Sequence, residues 1–149
     1  MVAECRHTRA ARFSGFYRFQ NGWKAGVQYD RTSLLQVGRV ADRTGGADRT
    51  RTAWEVPVSY TFGKNTVLAH YTRAGNISNT PGRTGAKLVS LGYDYSLSRR
   101  TNVGVFYSQL KNDAQGVYNP FNAGTSMTGS TVVAGESVTT MALGIKHVF

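Results

Sequence analysis

Long apolar runs are absent from this sequence, and cysteine is nearly absent. No stretch of the 149 residues approaches the roughly 18 apolar residues that a membrane-spanning helix needs, which argues against a helical membrane protein. The single cysteine, Cys5, excludes an internal disulfide framework and a cysteine-based zinc site. The histidines His7, His70 and His147 lie too far apart for the spacing of metal ligands. No nucleophile elbow, phosphate loop or pair of catalytic carboxylates is visible, so the sequence predicts neither an enzyme nor a bound cofactor.

What the sequence does contain is alternation, and its last nine residues show it best. Read back from the end, every second residue is bulky or aromatic: these are Phe149, His147, Ile145, Leu143 and Met141. The positions between them hold smaller or more polar side chains. A period of two predicts a β-strand with one bulky face. A strand that ends on an aromatic residue is typical of the closing strand of an outer-membrane β-barrel, whose aromatic residues lie at the membrane interface.

Six further strand-like runs precede this one, and together they predict an all-β chain of about seven strands. Two residues disturb the alternation. Phe16 falls on the otherwise polar parity of the first run, and Pro57 cannot donate a hydrogen bond to a ladder, which predicts a bulge or a local defect there. The predicted runs are 13–19, 23–30, 54–62, 67–72, 89–97, 103–108 and 141–149.

The connections between these runs alternate between short and long. Asn21-Gly22 is a strong signal for a two-residue hairpin, and the connections at 63–65 and 98–101 are similarly short. The stretches 34–51, 75–84 and 112–136 are longer and loop-like. Outer-membrane barrels join antiparallel strands by short periplasmic turns and long extracellular loops. The sequence therefore predicts a segment of an antiparallel transmembrane β-barrel.

Three segments resemble the general diffusion porins of β-proteobacteria. They are Tyr60-Thr-Phe-Gly-Lys-Asn-Thr-Val-Leu-Ala-His-Tyr71, Leu91-Gly-Tyr-Asp-Tyr-Ser-Leu-Ser-Arg-Arg-Thr101 and Leu143-Gly-Ile-Lys-His-Val-Phe149. The resemblance covers residues 13–149, whereas residues 1–12 do not match it and carry no secretory signal. Because such porins are sixteen-stranded homotrimeric barrels, the resemblance implies that this chain is the C-terminal part of a barrel. A truncated porin remnant without function is an alternative.

The resemblance also implies a function, a location and partners. It implies passive diffusion of small hydrophilic solutes and ions through a water-filled lumen in the bacterial outer membrane. The implied partners are outer-membrane lipid and lipopolysaccharide, the barrel-assembly machinery through the C-terminal strand, and further copies in a homotrimer. Neither a cofactor nor a nucleic acid is implied. An odd number of strands cannot close in the usual antiparallel way, so the chain alone is expected not to form a stable pore.

The alternation assigns charged residues to two faces of the predicted barrel. Residues with the parity of the lumen face are predicted to line the pore: Arg18, Lys24, Asp30, Glu55, His70, Asp94 and Lys146. They can steer permeating ions, or they can be solvated wall residues with little effect on permeation. A second set has outward parity at the loop ends of its strands: Arg31, Arg73, Lys87 and Lys111. These cations can bind lipopolysaccharide phosphates or simply extend towards the interface.

A basic soluble β-domain that binds nucleic acid is the strongest rival prediction. The net charge of +10 and the 11% of aromatic residues favour it. Such a surface needs cations and stacking aromatic residues on one face, whereas Trp23 and Tyr29 alternate with Lys24. In a barrel the outward aromatic residues form girdles at the membrane interfaces. In a soluble β-sandwich, the third alternative, they would form the core.

Overall fold

The computed structural model describes residues 6–36, 48–119 and 132–149, which form one antiparallel sheet. Its strands lie in chain order, and each pairs only with its neighbours in the chain. Within these residues there is no helix with the length and hydropathy to cross a lipid bilayer. The seven strands are β1 Arg6–Arg18, β2 Trp23–Gln36, β3 Arg49–Phe62, β4 Asn65–Ala74, β5 Ala86–Ser96, β6 Thr101–Asn112 and β7 Ser137–His147. The predicted all-β, seven-stranded segment is confirmed.

The connections alternate in length as predicted. Residues 19–22, 63–64 and 97–100 join strands at one end of the sheet, and the segments 37–48, 75–85 and 113–136 join them at the other. Glycine makes two of the short turns possible, since Gly22 (φ 89°) and Gly63 (φ 58°) adopt the left-handed region that other residues avoid. We call the two ends of the sheet the turn end and the loop end.

Pro57 interrupts the ladder between β2 and β3 without shifting its register. Ala25 pairs with Val58 and Gln28 pairs with Glu55, so the same alignment holds on both sides of the gap. The gap arises because proline has no backbone N–H to donate to β2. The structure thus has a local defect rather than a bulge at Pro57, which is one of the two outcomes predicted for this position.

The two faces of the sheet differ in curvature and in polarity. One face is concave and lines a groove of about 940 Å³. Charged and polar side chains such as Lys24, Glu55, His70 and Asp94 line this groove. The convex face carries large apolar side chains that remain exposed, among them Val27, Leu91, Val105, Met141 and Leu143. The polar groups are therefore on the enclosed side and the apolar groups on the outer side.

The most deeply buried side chains lie on the concave face at the loop end. Ala86 and Ser90 are each 3% exposed, and Ser90 donates a hydrogen bond to Ser108 Oγ over 3.1 Å. The start of the last long connection meets the end of the previous one, since the N–H of Asp113 donates to the carbonyl oxygen of Gly85 over 2.8 Å and that of Gln115 to the carbonyl oxygen of Arg83 over 2.9 Å. The described parts of these two connections therefore pack against each other at the loop end.

Asn112 fixes the base of the connection between β6 and β7. Its Nδ2 donates to the carbonyl oxygens of Tyr118 and Glu136, both over 3.0 Å, and its Oδ1 accepts the N–H of Tyr118 over 2.9 Å. The side chain is 7% exposed. One amide thus holds Tyr118 and Glu136 together at the base of this connection.

The sheet is open, because β1 and β7 each pair with a single neighbour. β1 begins at Arg6, so this strand includes seven residues of the segment 1–12, which lies outside the resemblance described above. β1 and β7 run in the same direction, because an even number of antiparallel steps separates them. The two edges of this sheet therefore cannot pair with each other in an antiparallel ladder.

Candidate functional site

The concave wall holds all of the acidic residues that lie in the described strands. The ladders assign three carboxylates to this face: Asp30, Glu55 and Asp94. Among the residues whose side chains the structure describes, they assign six cations to it: Arg12, Arg18, Lys24, Arg49, Arg51 and Lys146. The seven predicted pore-lining residues, which include His70, thus share one face. Arg12, Arg49 and Arg51 also lie on this face, although they are not among the residues predicted to line the pore. In the sequence, Arg49 and Arg51 share the parity of Glu55, so continuing the alternation back from Trp54 would include them.

Two of the three carboxylates are paired within the wall. Asp30 Oδ2 lies 3.1 Å from Arg12 Nε, and Asp30 Oδ1 accepts a hydrogen bond from Thr32 over 3.0 Å. Glu55 Oε2 lies 3.2 Å from His70 Nε2. Within the described residues no group of three or more potential metal ligands occurs. The two pairs are therefore local contacts between neighbouring strands and belong to no group of metal ligands in the described part of the chain.

The remaining wall charges are mostly positive and without acidic partners. Among the described residues, no carboxylate lies within 4.0 Å of the charged groups of Arg18, Lys24, Arg49 or Lys146. Asp94 lies against the backbone of Gly104, its ladder partner, where a β-carbon would collide with the carboxylate. The electrostatic field along this wall is therefore set by an excess of cations.

Aromatic residues form two belts on the convex face. Near the turn end, the rings of Trp23 and Tyr60 stack with centroids 4.6 Å apart, and Phe62 stacks on Tyr60 at 5.4 Å. Nearer the loop end, Trp54 pairs with Tyr29 in the ladder, and its ring lies 5.2 Å from that of Tyr71.

Mostly aliphatic residues separate the two belts. Trp23 and Tyr29 mark the belts on β2 and lie about 20 Å apart along the strand at ~3.4 Å per residue. Between them, a row of outward residues runs across the sheet: Ala25, Val58, Ala69, Leu91, Tyr107 and Met141. Two aromatic girdles around an apolar band are the outer surface of a transmembrane β-barrel.

Comparison with known proteins gives the family. Residues 6–115 match the model of the Gram-negative porin family. The chain belongs to that family. Its fold is similar to that of an anion-selective porin from Comamonas acidovorans, with a TM-score of 0.80 and 22% sequence identity over 98% of this chain. The chain spans 40% of the length of that porin. No curated protein sequence matches the chain significantly.

Family membership locates this porin chain in the bacterial outer membrane and in a family of channels rather than of enzymes. It does not favour the nucleic-acid-binding alternative, and the distribution of charge agrees. On the strands described, the outward face carries cations only near the loop end, and its large side chains elsewhere are mostly apolar or aromatic. Such a surface offers an anionic polymer no continuous basic track.

Three of the four cations predicted to face outward at the loop end are neighbours in the sheet. Lys87 is the ladder partner of both Arg73 and Lys111, so these three lie side by side on β4, β5 and β6. Arg73 also forms an ion pair with Asp113 over 3.0 Å. Arg31 is on β2 opposite Thr52 and is not in this row. We call Arg73, Lys87 and Lys111 the rim row.

The terminal strand of the porin exposes its bulky face. Leu143 is 89% exposed, and Met141 and Ile145 project to the same side from neighbouring positions. The strand ends at His147, whose Nδ1 lies 2.9 Å from Thr101 Oγ1 and whose ring contacts that of Phe149 at 4.8 Å. The five predicted closing-strand residues thus form an apolar and aromatic strip beside an unpaired edge.

Proposed function

We propose that this chain forms part of the wall of an outer-membrane pore through which small hydrophilic solutes and ions diffuse passively. The observation that carries the proposal is the inverted polarity of the sheet. The charged groups line the enclosed concave face, whereas the convex face is apolar between two aromatic belts. A barrel wall that separates lipid from water requires this distribution. No catalytic step is part of this proposal, since diffusion needs only an open lumen.

The excess of cations on the wall supports a preference for anions. Arg18, Lys24, Arg49 and Lys146 have no acidic partner among the described residues, whereas Asp30 and Glu55 are paired. A charged lining raises the local concentration of ions of the opposite sign. The structurally similar porin from Comamonas acidovorans is itself described as anion-selective. We therefore include anion preference in the proposed function.

Neutralising three unpaired wall cations is expected to weaken anion preference. In the triple variant Arg18→Gln/Arg49→Gln/Lys146→Gln, the ratio of chloride to potassium permeability should fall roughly threefold, because each charge acts over a screening length of about 8–10 Å. The measurement is the reversal potential under a KCl gradient, with the complete gene product that contains this chain in a planar bilayer. Absence of any channel current would refute the proposed pore itself.

The matched control removes the same charge from the outward face. The variant Arg9→Gln/Arg31→Gln/Lys111→Gln loses three cations whose ladder positions lie on the convex side. Its reversal potential should equal that of the unmodified protein. Equal shifts in both triple variants would show that total charge, rather than the charge of the wall, sets selectivity, and would overturn the assignment of the pore-lining residues.

We propose lipopolysaccharide as the partner of the rim row. Like charges directly opposite each other destabilise a sheet, yet Lys87 faces two cations and only Arg73 has an acidic partner. The row lies on the lipid-facing side at the loop end, level with Trp54 in the ladder. Phosphate groups of an anionic lipid would relieve the repulsion by accepting hydrogen bonds from several cations at once.

Loss of both rim lysines is expected to weaken lipopolysaccharide binding strongly. If each lysine contributes about 1 kcal/mol near an anionic surface, Lys87→Gln/Lys111→Gln should lower the affinity about 30-fold. The measurement is titration of the detergent-solubilised gene product with purified lipopolysaccharide. The control is Lys64→Gln/Arg99→Gln, which removes two cations from the turn end. Unchanged binding in the rim variant would leave these residues as ordinary interfacial cations.

We also propose that the porin assembles as a homotrimer and that its terminal strand is recognised by the barrel-assembly machinery. The support for assembly through this strand is the exposed strip Met141, Leu143 and Ile145 beside an unpaired edge. An incoming strand can add to such an edge. Chemical cross-linking in outer membranes tests both points. Recovery of the monomer alone would refute the homotrimer, and the absence of cross-links between the terminal strand and the machinery would refute recognition through this strand.

A further inference from the structure

The concave wall carries apolar side chains that a polar lumen does not require. Phe16 is 71% exposed, Phe106 is 42% exposed and Leu68 is 38% exposed, and all three line the groove. The interior of a diffusion channel is ordinarily polar. A groove lined by exposed apolar groups with a few charged groups beside them is instead typical of a binding site for a small molecule.

One apolar platform is formed by Phe16, Gly26 and Pro57. Phe16 pairs with Gly26 in the ladder between β1 and β2. A β-carbon placed on Gly26 would lie 3.3 Å from Phe16 Cβ and 3.3 Å from Pro57 Cγ, so these two side chains flank the bare glycine backbone. The phenyl ring and the pyrrolidine ring make this part of the wall apolar, and an apolar aromatic surface suits another planar ring.

A cation stands at this platform. Lys24 Nζ lies 4.3 Å from the centroid of the Phe16 ring, which is a cation–π contact. The ladder partner of Lys24 is Arg18, a second cation without an acidic partner among the described residues. A solute with a ring to cover the platform and a carboxylate to meet Lys24 would satisfy both features at once.

A second platform in the same wall has the opposite charge beside it. A β-carbon on Gly92 would lie 3.4 Å from Leu68 Cδ1 and 3.7 Å from Phe106 Cδ2, which repeats the arrangement of two apolar groups around a glycine. The nearby charge on β5 is Asp94, a carboxylate. The second platform has a similar arrangement of apolar groups, but the charge beside it is negative. It therefore does not suit an organic anion and serves as an internal control for the first platform.

We propose that Phe16, Gly26, Pro57 and Lys24 form a weak binding site for aromatic carboxylates in the wall of the pore. The proposal rests on the proposed function and narrows its substrate class to anions that carry a ring. The ring of the solute packs on Phe16 and Pro57, and its carboxylate accepts a hydrogen bond from the Lys24 ammonium. Weak binding assists transport, because a solute must enter the site readily and also leave it.

The test is partial block of single-channel current by benzoate. The complete gene product that contains this chain is placed in a planar bilayer in KCl, and benzoate, acetate and benzyl alcohol are added in turn. Benzoate should reduce the current half-maximally in the millimolar range, whereas acetate, which lacks the ring, and benzyl alcohol, which lacks the charge, should need at least about tenfold more. Equal potency of acetate and benzoate would overturn the proposal.

Substitutions locate the effect. Phe16→Ala and Lys24→Gln should each raise the half-blocking concentration of benzoate about fivefold, Phe16→Leu should raise it less, and Phe106→Ala on the second platform should leave it unchanged. A heat-modifiable band on an electrophoresis gel confirms that each variant is folded. KCl current without selective block by benzoate overturns this inference alone, whereas absence of KCl current overturns the proposed function. Loss of block in Phe106→Ala would place the site on the other platform and refute the assignment.

Discussion

Replacing Ala69 by arginine is expected to destabilise the folded barrel by about 2–4 kcal/mol, the effect of arginine on a lipid-facing strand near the bilayer midplane. Ala69 lies near the middle of β4 on the convex face, between Val58 and Leu91 in the ladders. A guanidinium at this position is surrounded by apolar groups, and none of the described strands carries a carboxylate on this face. The next residue, His70, provides the matched control, because it projects into the groove.

His70→Arg introduces the same side chain on the opposite face, where Glu55 lies 3.2 Å from the native imidazole. The new guanidinium can pair with this carboxylate in water, and we expect a change below about 1 kcal/mol. The measurement is urea-induced unfolding of the complete gene product from phospholipid vesicles, followed by tryptophan fluorescence. Similar stability losses at positions 69 and 70 would contradict the assignment of the two faces.

The chain of 149 residues by itself is expected to form no stable channel. Its outer strands β1 and β7 each lack a neighbour on one side, and in lipid every unpaired backbone group costs several kcal/mol. The two edges run in the same direction and cannot close the sheet in the antiparallel manner. In detergent we expect a species that unfolds without heating, and in planar bilayers no discrete conductance steps.

The same measurements on the chain supplemented with further barrel strands give the positive control. Joining the chain to complementary strands of a Gram-negative porin, or co-refolding it with them, should restore a band that shifts only on boiling, together with conductance steps. A heat-modifiable band and stable steps from the isolated chain would show that it closes by another route. That result would require pairing between copies of the chain, which cross-linking at the β1 and β7 edges would detect.

Much of this fold could be predicted from the sequence because lipid and water impose one rule on every strand. Residues such as Tyr60 and Leu91 face apolar surroundings, whereas Glu55 and Asp94 face the groove, so a period of two appears directly in the amino-acid order. The same rule places all the predicted wall residues on one face. The long connections stand out because they break that period.

The platform around Phe16 could not be predicted in this way. Phe16 appears in the sequence only as an exception to the alternation, and Pro57 only as a poor strand residue. Their proximity depends on the register of β1 on β2 and of β2 on β3, and a one-residue slip would place them on different faces. Single-sequence patterns do not fix register, so the meaning of the two exceptions emerges only when the ladders are known.

The four outward cations at the loop end also show that the sequence does not reveal contacts across strands. Their outward parity and their position near strand ends can be read from the sequence, which does not show which of the four are neighbours. The ladders instead place Lys87 between Arg73 and Lys111 and leave Arg31 apart. Asp113, which pairs with Arg73, lies in a loop where no periodicity could assign it. Which residues are neighbours on adjacent strands can thus be determined only from the three-dimensional structure.

The simple strand order has a consequence for how this architecture forms and changes. Because every strand pairs only with its neighbours in the chain, all ladders are hairpins, and no distant segments must meet before the sheet can grow. Contacts of short sequence separation favour rapid folding. Each new strand can pair with the strand that precedes it in the chain. Adding or deleting one hairpin would therefore change the number of strands in a closed barrel without changing how the other strands are connected. Duplication of a single hairpin adds two strands, so the size of such a barrel can evolve in steps of two strands.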